Sequence, residues 1–447
     1  MCVVGVIAEY NPLHFGHIHH LNYARNTVKA QGLVCVLSSN FVQRGEPAIV
    51  SKWARAQMAL ASGADLVVEL PSAFSCASAE YFAAGAVSIL NSLGIIDYLC
   101  FGSEEGCIEN LEFAAEHFAV ENESFKNNIK NQLNNGLSYA LARQKALENI
   151  LINNRNKSGE NYNDETKISR IINAVSKPNN ILGIEYLKAL KRFKSSIRPI
   201  TTKRIGQDYN SLERAASFSS ATSIRQYIRE RINFGLSYEN DVFLQNNMSV
   251  KCLEIMFTEF ASGRGPVFSE AFENILLHAF RTKSLSEIRS LPYIEDGLEN
   301  RLKQASVEST SYHEFVENVV TKRYPASRIK RILISMLTGM TREFLDELKN
   351  NGYAQYIRIL GFNETGRALL SEIKNKARLP VITKPASINN LDNRLAVELF
   401  EHEVRATNTY VLGYRNVRHA IGNQEYTYSP IYNNQKKDFP NQVNNRN

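Results

Sequence analysis

The chain has 447 residues, enough for two or three domains at about 150 residues each, and its 44% hydrophobic and 22% charged residues exclude a collagenous, mucin-like or wholly disordered protein. The net charge is +7, yet thirteen Lys/Arg against five Asp/Glu between Lys322 and Lys384 give that segment alone an excess of +8, leaving the rest at −1. No apolar run reaches the roughly 18 residues that cross a bilayer, the N-terminus has no basic signal region, and the six cysteines are scattered without a CxxC pair, so a cytoplasmic protein with reduced thiols is expected.

In chain order, Val3 to Ala8, Leu33 to Ser38, Asp65 to Leu70 and Asp97 to Gly102 are apolar on both faces, the pattern of strands buried in a parallel sheet. Helical spacing fills the intervals Phe15 to Lys29, Ile49 to Ser62 and Ala77 to Leu93. This alternation predicts an α/β fold with a doubly wound parallel sheet, whose ligands sit beyond the carboxyl ends of the strands. The polar, Asn-rich stretch 152–166 reads as an exposed loop, followed by a helix from Asn180 to Phe193, a strand from Ile197 to Ile205 and a helix from Thr222 to Ile232. From about 240 to 350 the spacing is helical, the pattern weakens beyond Lys384, and the last fifteen residues are too polar to pack. The expected division is residues 1–235 as the α/β unit, 236–430 as a mainly helical, basic, RNA-binding C-terminal region, and 431–447 as a disordered tail.

Four of the nine histidines fall within seven positions, at His14, His17, His19 and His20, just after the first predicted strand. Asn11-Pro12 ends that strand with a turn, and Gly16 lets a ligand approach the backbone where the helix opens. Free N–H groups and the helix dipole at such an end attract anions, and imidazoles add donors, so the segment reads as a triphosphate cradle. Clustered histidines also bind zinc. Here the three-residue spacing straddles a turn, with no cysteine pair or HExxH pattern beside it, and no metal site is predicted.

The element His14-Phe15-Gly16-His17 after a strand and an Asn-Pro turn resembles the HxGH signature of the class I nucleotidylyltransferase superfamily. Ser220-Ala221-Thr222-Ser223-Ile224-Arg225 resembles that superfamily's SSTxxR element, with Ala221 departing from its second Ser. Over nearly the whole length the chain is similar to the bacterial tRNA(Met) cytidine acetate ligase family. The matching stretches are Val6 to Pro12, Gln43-Arg44-Gly45-Glu46-Pro47-Ala48, Ser51-Lys52-Trp53-Ala54-Arg55, Phe101-Gly102-Ser103-Glu104, Lys177 to Gly183, Thr201 to Ile205 and Tyr356 to Phe362.

That resemblance implies two steps. ATP and acetate form acetyl-adenylate and pyrophosphate, and the exocyclic amine of the wobble cytidine of elongator tRNA(Met) then takes the acetyl group, releasing AMP. Acetate is a weak nucleophile, so positioning and charge neutralisation must supply the rate. The resemblance makes His14, His17 and Arg225 the catalytic candidates. It places ATP along Ile7-Ala8-Glu9-Tyr10-Asn11-Pro12-Leu13-His14-Phe15-Gly16-His17-Ile18-His19-His20, with Gly102, Asn179, Asn180, Arg204 and Ile205. Mg²⁺ is expected with the triphosphate, although no carboxylate stands out as its ligand. One member of the Asn179-Asn180 pair reads equally as a helix N-cap, and Gly102 as a strand-ending turn. Lys52 and Arg55 read either as phosphate contacts or as a solvated helix face, and Trp53 as a packed anchor.

For tRNA, the basic segment offers Arg328, Lys330, Arg331, Arg358, Lys374 and Lys376, interleaved with aromatic residues; a solvated helical face gives the same charge count. No protein partner is inferable. Two alternatives stand beside this reading: an adenylyltransferase acting on a small phosphorylated acceptor, and a non-catalytic RNA-binding protein.

Overall fold

The strands in chain order are β1 (Val3–Ala8), β2 (Gly32–Ser38), β3 (Phe41–Val42), β4 (Glu46–Pro47), β5 (Leu66–Leu70), β6 (Tyr98–Ser103), β7 (Arg198–Lys203), β8 (Ile357–Asn363), β9 (Val381–Ile382) and β10 (Ile431–Asn433). The computed structural model describes residues 1–104, 106–119, 123–137, 139–157, 165–203, 219–238 and 240–434. In the main sheet the order is β10-β8-β5-β2-β1-β6-β7, with β9 beside β8. From β5 to β7 all neighbours are parallel.

Successive side chains of a strand point to opposite faces, so an all-apolar strand needs cover on both. Val3, Val34, Val36, Leu66 and Val68 pack on one face with the helix Ala79–Leu93, while Val4, Val6, Leu33, Cys35, Leu37 and Val67 pack on the other with helices α1 (Phe15–Thr27) and α2 (Lys52–Ala61). The chain leaves β1 toward β2 and β5, then returns to β6 and β7 on the far side. That reversal opens a crevice at the carboxyl ends of β1 and β6, where the histidine turn emerges.

The C-terminal half is largely helical, and it also completes the sheet. β8 pairs antiparallel with β5, and β10 pairs with β8. A cut at residue 235 therefore divides the sheet between two segments of chain. A separate apolar cluster joins Phe272, Leu276, Phe280, Leu302, Phe315, Ile329 and Leu333 to Tyr410 and Val411.

Three expectations change. The predicted loop 152–166 is partly helix, since one helix runs through Lys157 and the next starts at Glu165. Beyond Lys384 lies the 18-residue helix Arg394–Val411, whose buried face carries His402, Glu403 and Thr407 and so hides the apolar periodicity. The predicted tail begins with β10, and residues 435–447 lie outside the described residues.

Candidate functional site at the carboxyl edge of the sheet

Helix α1 begins at the histidines themselves. His14 is its N-cap: its Nδ1 accepts from Gly16 N–H at 3.1 Å, and His17 Nδ1 accepts from His14 N–H at 3.3 Å. The pair is a capping box written in imidazole where Ser and Glu are usual. Because both Nδ1 atoms accept, a neutral ring in either place carries its proton on Nε2. The rings lie 3.9 Å apart between centroids, and Tyr10 meets His17 edge-on at 5.0 Å. A side chain on Gly16 would come within 2.8 Å of the His14 ring, so the motif's glycine makes room for its first histidine.

The residues before the helix are held from below. Tyr10 and Leu13 are fully buried, and Asn11 Oδ1 accepts from Ile49 N–H at 2.8 Å. Glu9 Oε1 accepts from Gln43 N–H at 2.8 Å; burial raises its pKa, opposed by that bond and by Arg225. Ile7, Ala8, Phe15, Gly16, Ile18 and His20 are half-buried and His19 is exposed.

Arg225, 214 positions from Asn11 in sequence, arrives on the helix Ala221–Asn233 and donates to Asn11 O at 2.7 Å. Its other nitrogen reaches Glu46 at 3.2 Å. Ser220 caps that helix by accepting from Ser223 N–H at 3.1 Å, so the first Ser of the SSTxxR-like element is structural. Glu46, in the short β3–β4 hairpin, also binds Lys330 at 2.7 Å. Burial acts to raise the Glu46 pKa, but Lys330 and then Arg225 outweigh it and hold it below the ordinary range. Gly45, at φ +76°, lies against the Lys330–Arg331 backbone, where a side chain would collide. In sequence Glu46 is only one residue of the Gln43 to Ala48 motif; its role becomes visible when both cations converge on it.

The structure brings together the histidine turn, Arg225 and the end of β6, where Gly102 is half-buried and Ser103 Oγ receives Thr201 Oγ1 at 2.8 Å. Other predicted residues do different work. Asn180 is fully buried; its Oδ1 accepts from Glu104 N–H at 2.9 Å and its Nδ2 donates to Ala174 O at 3.0 Å, so both ends of the amide fix backbone. Neither asparagine is the N-cap of its helix, a position held by Lys177. The side chain of Asn179, and all of Arg204 and Ile205, lie outside what is described.

Arg55 is not a phosphate contact: it is fully buried, donating to the carbonyls of Glu9, Ser38, Ser39 and Val50 at 2.6 to 3.1 Å and tying the ends of β1 and β2 together. Burial lowers its pKa to about 10. Lys52 is equally buried, its ammonium among Glu69, Glu403 (2.9 Å) and Glu425 (2.5 Å). Those three carboxylates could cage a metal by geometry, but Lys52 holds the place a cation would need. Trp53 is a packed anchor, stacked on Tyr428 at 4.0 Å.

The predicted tRNA residues separate into three places. Arg328, Lys330 and Arg331 lie on the helix Ala326–Thr338 near the site, where Arg331 donates to Gln43 O at 3.2 Å and Arg328 pairs with Glu295 at 2.8 Å. Arg358 is 2% exposed and bound to Glu425, so its assignment as an RNA contact is corrected: its guanidinium completes the Lys52 ion cluster. Lys374 and Lys376 are exposed, but their helix (Glu364–Lys376) crosses the amino edge of the parallel strands, with Gly366 at Asp65 and Lys376 at Gly94.

The HIGH Nucleotidyl Transferase family model matches residues 1–425. The tRNA(Met) cytidine acetate ligase of Acetivibrio thermocellus is 45% identical over 96% of this chain and 100% of its own length, and that of Clostridium novyi 37% identical over 97% and 100%. The crystal structure of Thermotoga maritima TmcAL bound with alpha-thio ATP superposes with a TM-score of 0.86 at 34% identity, over 97% of this chain and all of that one. On the fold, the histidine turn and these full-length likenesses, the chain belongs to the HIGH nucleotidyl transferases and, among them, to the tRNA(Met) cytidine acetate ligase family.

Proposed function

We propose that the protein acetylates the wobble cytidine of elongator tRNA(Met), using ATP and acetate through an acetyl-adenylate and releasing pyrophosphate and AMP. The observation that carries this reading is the imidazole capping box beside Arg225 in the crevice at the carboxyl ends of β1 and β6. The triphosphate lies against the opening of α1, where the helix dipole and the imidazoles of His14 and His17 meet charge that grows on the leaving pyrophosphate. Acetate attacks the α-phosphate in line. The acetyl carbon then passes to the cytidine amine as the bond to adenylate oxygen breaks and AMP departs, with rate supplied by positioning.

Mg²⁺ would be carried on the phosphates and water. Glu46 lies between the cations Arg225 and Lys330, whose charge repels a metal ion, and Glu9 accepts from Gln43 N–H, so the carboxylates here do not form a metal cage. Arg328, Lys330 and Arg331 favour an RNA approach beside the site. Lys374 and Lys376, on the other edge of the sheet, can meet only a part of tRNA remote from the reacting base. No helix among the described residues is long and apolar enough to cross a membrane, in keeping with a cytoplasmic enzyme.

The test is incubation with ATP, labelled acetate and total tRNA. ATP-dependent label in RNA is expected. AMP joined to a small molecule, or RNA binding without turnover, would overturn the reading in favour of the adenylyltransferase or the binding protein.

A further inference from the structure

Beside the histidine turn, a cleft of about 380 Å³ separates the helix Ala221–Asn233 from the helical C-terminal half. Arg225 stands on its wall, and the same guanidinium holds Asn11 O in the turn, so the cleft abuts the place where the adenylate forms. Its volume falls in the range of pockets that enclose small organic molecules. Three features of the wall have no role in the first half-reaction as derived above.

Glu46 offers an ionised carboxylate. Arg225 and Lys330 fix its position but use only part of its acceptor capacity of about four lone-pair sites. Phe268 gives an aromatic face, with the Arg229 guanidinium 4.6 Å from the ring centre. Tyr312 lines the cleft at 3% exposure; burial raises the pKa of its hydroxyl, opposed by a hydrogen bond with Ser269.

The carboxylates Glu46, Glu230 and Glu270 are matched on the same wall by Arg225, Arg229 and Lys330, so the cleft carries no excess charge to draw a second triphosphate or free acetate. A neutral, flat group with amine hydrogens fits. Carboxylates accept from the exocyclic amine of cytosine, and unpaired RNA bases stack on aromatic rings once splayed from their loop. Building on the acetylation reading above, we propose that this cleft is the acceptor pocket: it receives the target cytosine of the anticodon loop, with Glu46 reading the amine to be acetylated and Tyr312 making a second polar contact. Glu46 is thus a specificity-determining residue. Uracil would turn a carbonyl oxygen toward the carboxylate and be rejected.

The two half-reactions separate the proposal from the function it rests on. Acetate-dependent ATP–pyrophosphate exchange needs no RNA, whereas acetylation of an anticodon stem–loop does. In Tyr312→Phe and Glu46→Gln, kcat/KM for the stem–loop should fall about tenfold more than exchange does, the size of one lost base-edge contact. Glu46→Gln should also erase the preference for binding a loop with C over one with U at the target position. A stem–loop carrying 5-iodocytidine there should crosslink under ultraviolet light to Phe268, Tyr312 or His313. Wild-type ratios in both variants, or crosslinks mapping outside the cleft, would overturn the pocket. A wild-type protein that exchanges pyrophosphate but acetylates no RNA would overturn the activity instead, while the crosslink would still report where the base docks.

Discussion

The histidine turn, beyond β1, and the Lys52 ion cluster, at the carboxyl end of β5, both gather polar groups along one edge of the sheet, on opposite physical terms. At the turn, buried and half-buried groups bond largely to nearby backbone, His14 to Gly16 N–H, His17 to His14 N–H and Arg225 to Asn11 O. In the cluster, Lys52 and Arg358 face Glu69, Glu403 and Glu425 at almost no exposure, the opposite charges all coming from the chain itself. Two cations neutralise two of the three carboxylates; the third, Glu69, is driven by burial to a pKa of about 7 despite Lys52. Glu403 is held at about 2, since Lys52 and the donors Ser39 and Ser72 outweigh the effect of burial. A charged residue beside an active site is thus no guide to function until its burial and partners are known.

The strongest way to break this comparison is Lys52→Met. It leaves three buried carboxylates against one arginine, and breaking such a network costs about 3 to 5 kcal/mol. A large fall in the denaturant midpoint is expected, and an unchanged midpoint would show the cluster to be dispensable.

His17→Ala should do the reverse. Acetate-dependent pyrophosphate exchange should drop on the order of a hundredfold through loss of a donor to the leaving group. Stability should change by only about 1 kcal/mol, the value of a helix cap. Comparable losses of stability from both substitutions would erase the distinction between the two regions.

The smallest effect is a pH dependence. Glu69 has a folded pKa above its ordinary value, so folding takes up a proton between about 4.5 and 7. Its contribution is complete below the ordinary value and is lost as pH rises through about 7, with a slope of at most about 1.4 kcal/mol per pH unit. Glu403 works oppositely: its contribution is complete above its ordinary value and fades as pH falls toward about 2. Thermal unfolding of Glu69→Gln between pH 5 and 8 should therefore be flatter than that of the wild type. Parallel profiles would mean that Glu69 is ionised throughout.

Legibility followed the source of each residue's constraint. β1, β2, β5 and β6 were readable because a strand covered on both faces needs a continuous apolar run, a purely local signal. The histidine turn was readable because its capping bonds span two and three residues. Arg394–Val411 was not, since His402, Glu403 and Thr407 look like surface until Lys52 and Asn40 arrive from more than 350 positions away. Arg358 misled for the same reason, its partner Glu425 lying 67 positions on.

What the sequence determined by itself is the parallel strands and the histidine-capped helix start at their centre, both dictated by neighbours along the chain. What only the tertiary structure decided is which charges are spent inside. Arg55, Lys52 and Arg358 went to the interior, while Glu46 was placed between Arg225 and Lys330 at an open cleft. The physical reason is that a charge's fate depends on desolvation and on its nearest opposite charge, and folding sets both by bringing together residues remote in sequence.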